Sequence, residues 1–126
     1  MYPEVLLSAM HLESENYIDT LGIHTDCVLI NQCDRESVRK AEHDTPQGRV
    51  SVTYIETRER GLSKSRNMAV SNATGPVCIL CDNDIRYEDD ASEEIVRAFL
   101  RHPEAGIICF FIERPERSRP PRVVSV

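Results

Sequence analysis

The sequence predicts an α/β domain of three layers, a mainly parallel sheet with helices on both faces, and two observations predict it. Short apolar runs, rich in β-branched residues or leucine and bounded by polar or turn residues, recur along the chain. Segments of helical character lie between them. Strands that alternate with helices form βαβ units with right-handed crossovers, and such units build parallel sheets.

The apolar runs occupy residues 5–9, 27–31, 50–55, 77–80 and 106–112, and they read as strands buried on both faces. Between the first two, Tyr17, Ile18 and Leu21 suggest a weak helix. A short second helix is expected over 37–42. The next, over 63–72, carries small residues Ser65, Ala69 and Ala73 on one face and is closed by Gly75-Pro76. The clearest helix follows the fourth strand: Ile95, Val96, Phe99 and Leu100 form its apolar stripe, Asp90 and Glu93 resemble a capping box, and Pro103 stops it. Residues 1–112 thus read as one α/β domain. Residues 113–126, with three prolines and no apolar period, read as an irregular Pro/Arg-rich tail or the start of a missing part.

With 126 residues the chain fits one domain, which can bury roughly two thirds of the surface its unfolded form exposes. Lys plus Arg number 15 against 21 Asp plus Glu, a net charge of -6 that argues against a nucleic-acid or membrane-surface binder. No signal-peptide pattern follows Met1, and no apolar stretch approaches the roughly 20 residues of a membrane span. The five cysteines, Cys27, Cys33, Cys78, Cys81 and Cys109, are odd in number and sit mostly in apolar runs, which suits reduced thiols in a cytoplasmic core.

Ligands of parallel α/β sheets bind outside the carboxyl ends of the strands. The most informative segment there is the run Ile79, Leu80, Cys81, Asp82, Asn83, Asp84, where an apolar strand leads directly into two carboxylates at i and i+2. If the chain turns at that point, both can serve one site, and such hard oxygen ligands suit Mg²⁺ or Mn²⁺ bridging to substrate phosphates. The competing reading is a solvated acidic turn. Arg66 is a credible bidentate partner for a carboxylate or phosphate, against an ordinary exposed helix charge; Lys64 reads as solvated. Cys78 and Cys81 have C-x-x-C spacing, but on a strand they point to opposite faces and no second pair completes a zinc site. His24, His43 and His102 are scattered.

The context of the acidic pair carries a resemblance. Gly61, then Arg66-Asn67 opening a helix, then Ala73-Thr74-Gly75, an apolar strand and Asp82-Asn83-Asp84 match in order and spacing the pattern of family 2 of the GT-A-fold glycosyltransferases, over residues 56 to 90. The resemblance implies that residues 1–112 are a nucleotide-sugar-binding domain, the truncated donor half of an inverting enzyme that transfers a sugar from a nucleotide diphosphate to an unknown acceptor hydroxyl. It implies Asp84 as metal ligand for Mn²⁺ or Mg²⁺, with Asp82 facing the sugar or ribose and the metal's waters. Arg66 would stabilise the donor, Gly61 would let backbone approach the nucleotide, and Ser8 and Ala9 would line the base and ribose pocket, with His11 in that pocket or on an exposed loop. Asn31 stands, with Gln32, where the family usually has an acidic pair against the nucleobase; an amide still bonds a base edge, and uracil, hence a UDP-sugar, is the first expectation. The general base is expected beyond this chain, and neither Glu113 nor Glu116 is marked as one.

Two other classes fit parts of the pattern. One is a non-catalytic α/β nucleotide-binding or interaction module with an Arg-rich tail contacting a partner. The other is a receiver-type signalling domain, although Ser8 to His11 and Arg114 stand where that module needs acidic residues and a lysine. An exposed edge strand would also permit a homodimer.

Overall fold

The protein is described here by a computed structural model covering residues 3–110. The order is β1 (Pro3–Met10), a 3₁₀ helix (Glu15–Leu21), β2 (Cys27–Gln32), β3 (Ser37–Thr45), β4 (Gly48–Thr57), α1 (Leu62–Asn72), β5 (Val77–Asp82) and α2 (Ala91–Arg101). The strands form one sheet in the order β3-β4-β2-β1-β5, parallel throughout except that β3 runs antiparallel to β4. The expected fold class holds.

β1 and β2 are central and apolar, and both faces are covered. Val5, Leu7, Ala9, Leu29, Tyr54 and Cys81 face the 3₁₀ helix with Ile18, Leu21 and Ile23. Leu6, Val28, Ile30 and Ile55 face α1 through Ala69, with Met68 and Ala73 beside it. Small residues at Ser65 and Ala69 let α1 lie close to the sheet, and both are buried. β5 departs from the expectation of burial on both faces. As an outer strand of this sheet it leaves Cys78 and Leu80 exposed, while Cys81 points inward.

The helix expected over 37–42 is instead β3. Its polar residues have no apolar stripe to anchor a helix, whereas Pro46-Gln47 forms a two-residue turn that brings Thr45 opposite Gly48. The Thr45 hydroxyl fastens that turn, donating to the Gly48 carbonyl and accepting from the Gln47 amide. Arg39 then lies over the Tyr54 ring, 5.0 Å from its centre.

Asp90 does precede α2, but its side chain makes no capping bond, so the expected capping box is absent; its carbonyl accepts from Glu94. Over 106–110 only Ile108 makes a β-bridge, and the remainder of the expected fifth apolar strand, with the tail at 113–126, lies outside the described residues. All five cysteines are free: Cys27, Cys33 and Cys81 are buried, Cys78 and Cys109 exposed. No helix among the described residues is long and apolar enough to cross a membrane.

Candidate functional site

The parallel strands taken alone lie in the order β4-β2-β1-β5, so the sheet grows outward in both directions from β1. The connection leaving β1 crosses on the face of the 3₁₀ helix and the connection entering β5 crosses on the face of α1. In sheets of this kind such a divergence marks where the ligand crevice lies, here beyond the carboxyl ends of β1 and β5. Ser8 and Asp82 are register partners there.

Both residues belong to the α1 face. Ser65 Oγ, on the buried side of α1, donates to Ser8 Oγ at 2.7 Å, and Arg66 Nη2 stands 3.5 Å from Asp82 Oδ1. These two side chains remain about half exposed, 43% for Arg66 and 50% for Asp82, so the pair borders the crevice rather than filling the core. The chain turns at Asn83 and Asp84, which the paired-carboxylate reading requires, and Asp84 is exposed. The turn is tied from behind: Tyr17 Oη donates to the Asn83 carbonyl at 3.0 Å. Past the turn, the Tyr87 amide donates to the Leu21 carbonyl at 2.8 Å. Gly22, at φ 71, permits this approach because a Cβ there would stand 2.8 Å from the Tyr87 carbonyl oxygen.

Gly61 precedes α1 at φ 109, and its carbonyl accepts a 2.9 Å bond from Gln32 Nε2 at the end of β2. It therefore joins the α1 side of the same edge. Ala9 and Asn31, opposite each other in register, point to the other face. Asn31 is 0% exposed. Its Nδ2 donates to the Leu12 carbonyl and to Tyr54 Oη, and its Oδ1 accepts from the Leu12 amide, so both amide hydrogens serve the fold rather than a base edge. What Asn31 does is fix the segment after β1, where His11 is exposed at φ 53.

The ends of β2 and β4 are similarly committed. Glu56 accepts from Arg35 at 2.7 and 3.0 Å and from Ser37 at 2.8 Å. Burial pushes its carboxyl up, but the Arg35 and Ser37 hydrogen bonds and the Arg35 charge outweigh burial and hold it below the usual range. The Arg66 and Asp82 side chains, by contrast, are paired among the described residues only with each other, at 3.5 Å, and stay half exposed, with Asp84 exposed beside them.

Ser65, Gln32 and Tyr17 carry this arrangement; the sequence marked Ser65 only as part of the small-residue face of α1, Tyr17 only as part of a weak helix, and Gln32 only beside Asn31 at the end of the second strand. His24 bridges the Gly22 carbonyl and Ser92 Oγ at the far end of the sheet, and His102 ends α2, so neither belongs to the crevice. No group of three or more His, Cys, Asp or Glu is arranged to hold a metal ion among the described residues. Glu113 and Glu116 lie outside them.

The model of Glycosyl transferase family 2 matches residues 18–125. The chain belongs to that family. The match contains the Arg66-Asn67 pair and the Asp82–Asp84 turn, while β1 with Ser8 precedes it. No curated protein and no solved structure matches the chain. Membership in glycosyl transferase family 2 agrees with the mainly parallel sheet and makes glycosyl transfer the reaction class. The receiver-type alternative loses its ground, since that module orders its strands 2-1-3-4-5 without an antiparallel edge hairpin.

Proposed function

We propose that this chain binds a nucleotide diphosphate sugar, a UDP-sugar first, in the crevice beyond β1 and β5, and that the sugar passes with inversion to an acceptor hydroxyl. The observation that supports this most is the Arg66–Asp82 pair beside Asp84, set at the point where the strand order reverses. Residues 1–112 make up the donor domain in this reading. The three buried free thiols suit a reducing compartment, the cytoplasm.

Mn²⁺ or Mg²⁺ fits the residues present. Such ions are commonly held by one or two carboxylates together with substrate phosphates rather than by an all-protein cage. Asp84, exposed on the turn, would hold the ion, and Asp82 would support it through the ion's water shell. When bound, the ion neutralises charge on the leaving diphosphate. Asp82 also orients Arg66, whose remaining N–H groups face the donor phosphates. The Ser8–Ser65 bond sets how closely α1 approaches β1 and thereby the width of the crevice. Gly61 lets backbone lie near the nucleotide, and Asn31 acts through Leu12 by holding the segment after β1, with Ala9 packing beneath it.

Calorimetric titration of UDP with and without Mn²⁺, repeated for Asp84→Ala, tests the reading. Metal-dependent binding that the substitution abolishes supports it. Absence of binding by UDP and by other nucleoside diphosphates leaves the interaction-module reading in its place.

A further inference from the structure

We propose that β3 is a self-recognition edge: two copies of the chain pair antiparallel along it, with the two-fold axis at Ala41. β3 is bonded to β4 on one side, and among the described residues no strand is bonded to the other. Thr45 and Gly48 flank a two-residue turn, so they form a hydrogen-bonded pair, and bonded pairs then recur at every second residue. The N–H and C=O groups of Val38, Lys40, Glu42 and Asp44 consequently point away from β4. Val38, 69% exposed, shows how open that edge is. A row of outward backbone groups is a template for another strand.

Side-chain charge selects the occupant and the register. With the axis at Ala41, Lys40 of each copy stands opposite Glu42 of the other, so the pair of opposite charges is made twice. Ser37 then meets Thr45, and Ala41 meets Ala41, where small side chains allow close approach. Sliding the axis to Lys40 or to Glu42 sets identical charges against each other, an axis at Arg39 opposes two arginines, and an axis at His43 brings Glu42 against Asp44. Directly opposed like charges destabilise a strand pair and opposite charges stabilise it. Charged residues on an edge ordinarily discourage indiscriminate pairing; this sequence admits one register of self-pairing while resisting its neighbours. The crevice lies at the opposite side of the sheet, beyond β1 and β5, so pairing leaves it open.

Sedimentation equilibrium of the whole chain under reducing conditions tests this with Lys40→Glu, Glu42→Lys and the double exchange. The wild type is expected to dimerise, each single reversal to weaken the dimer by roughly tenfold or more, and the double exchange to restore it. All positions are exposed, and circular dichroism verifies that the variants stay folded. A wild type that remains monomeric, a dimer indifferent to both single reversals, or a double exchange that fails to recover association would overturn the proposal.

Discussion

The hydroxyl of Tyr17 and the main-chain carbonyl of Asn83 are joined by a 3.0 Å hydrogen bond across 66 residues of sequence. The 3₁₀ helix thereby holds the middle of the acidic turn from behind, and the carboxylates on either side of Asn83 inherit their position from it. Tyr17→Phe removes one bond of about 1 kcal/mol net. Metal-dependent UDP affinity is expected to fall by about fivefold in calorimetry while metal-free affinity stays unchanged and the melting temperature drops by no more than about 4 °C. An equal loss with and without metal would show that the tyrosine supports the fold rather than the turn.

Arg66 gives the complementary case. Because its ion pair with Asp82 is half exposed, it contributes little to stability, within about 1 kcal/mol. Arg66→Ala is expected to reduce UDP affinity about tenfold, with the urea midpoint almost unmoved. Arg66→Lys should recover only part of the affinity, since an ammonium lacks the planar fork.

A third contact is structural. Glu4, buried near the start of strand β1, accepts from the Thr74 and Gly75 amides at 2.7 and 3.0 Å and fastens the α1–β5 connection. Gly75 leaves it room, for a Cβ there would lie 2.8 Å from Glu4 Cβ. Glu4→Gln removes a charge-assisted acceptor and is expected to cost about 1–3 kcal/mol in urea unfolding, with an unaltered slope.

Alkali should unfold the protein earlier than its carboxylate-rich composition suggests. Burial raises the thiols of Cys27 and Cys81 and the phenols of Tyr87 and Tyr54 above their ordinary values. A raised folded-state value means the unfolded chain loses its proton first. Stability is therefore full below the ordinary thiol value of about 8.5 and declines as pH climbs beyond it. Glu56 has the opposite sign: held low in the fold, it contributes above the ordinary carboxyl range and that contribution disappears as pH falls through the folded value. Urea midpoints followed from pH 3 to pH 11 are expected to decline at both ends. A flat alkaline limb would contradict the burial of these thiols and phenols.

What could be read from the sequence follows the range of the forces involved. β1, β2 and β4 were legible because buried parallel strands are apolar run by run, β5 because its run is apolar although Cys78 and Leu80 stay exposed, and α1 and α2 because local signals bound them. β3 was not, since an edge strand with one open side needs no apolar alternation; its signal was the Pro46-Gln47-Gly48 turn. At the site, Arg66, Asp82 and Asp84 were visible as a local pattern. The Ser65–Ser8 bond spans 57 residues, and no short-range rule announces it. Asn31 lies at the expected strand end but its side chain faces the 3₁₀ helix side, while its neighbour Gln32 has the α1 face, since one position along a strand reverses the direction of the side chain.

The crevice between β1 and β5 has no existence in any fragment of the chain shorter than the sheet itself. Its serine comes from β1 and its aspartate from β5, and they meet only when β5 has returned across the length of the chain to pair with β1. Contacts so distant in sequence form slowly compared with local ones. Donor capture would therefore be among the last properties to emerge during refolding, and the recovery of nucleotide binding should trail the recovery of helical signal, making the ligand a clock for completion of the sheet.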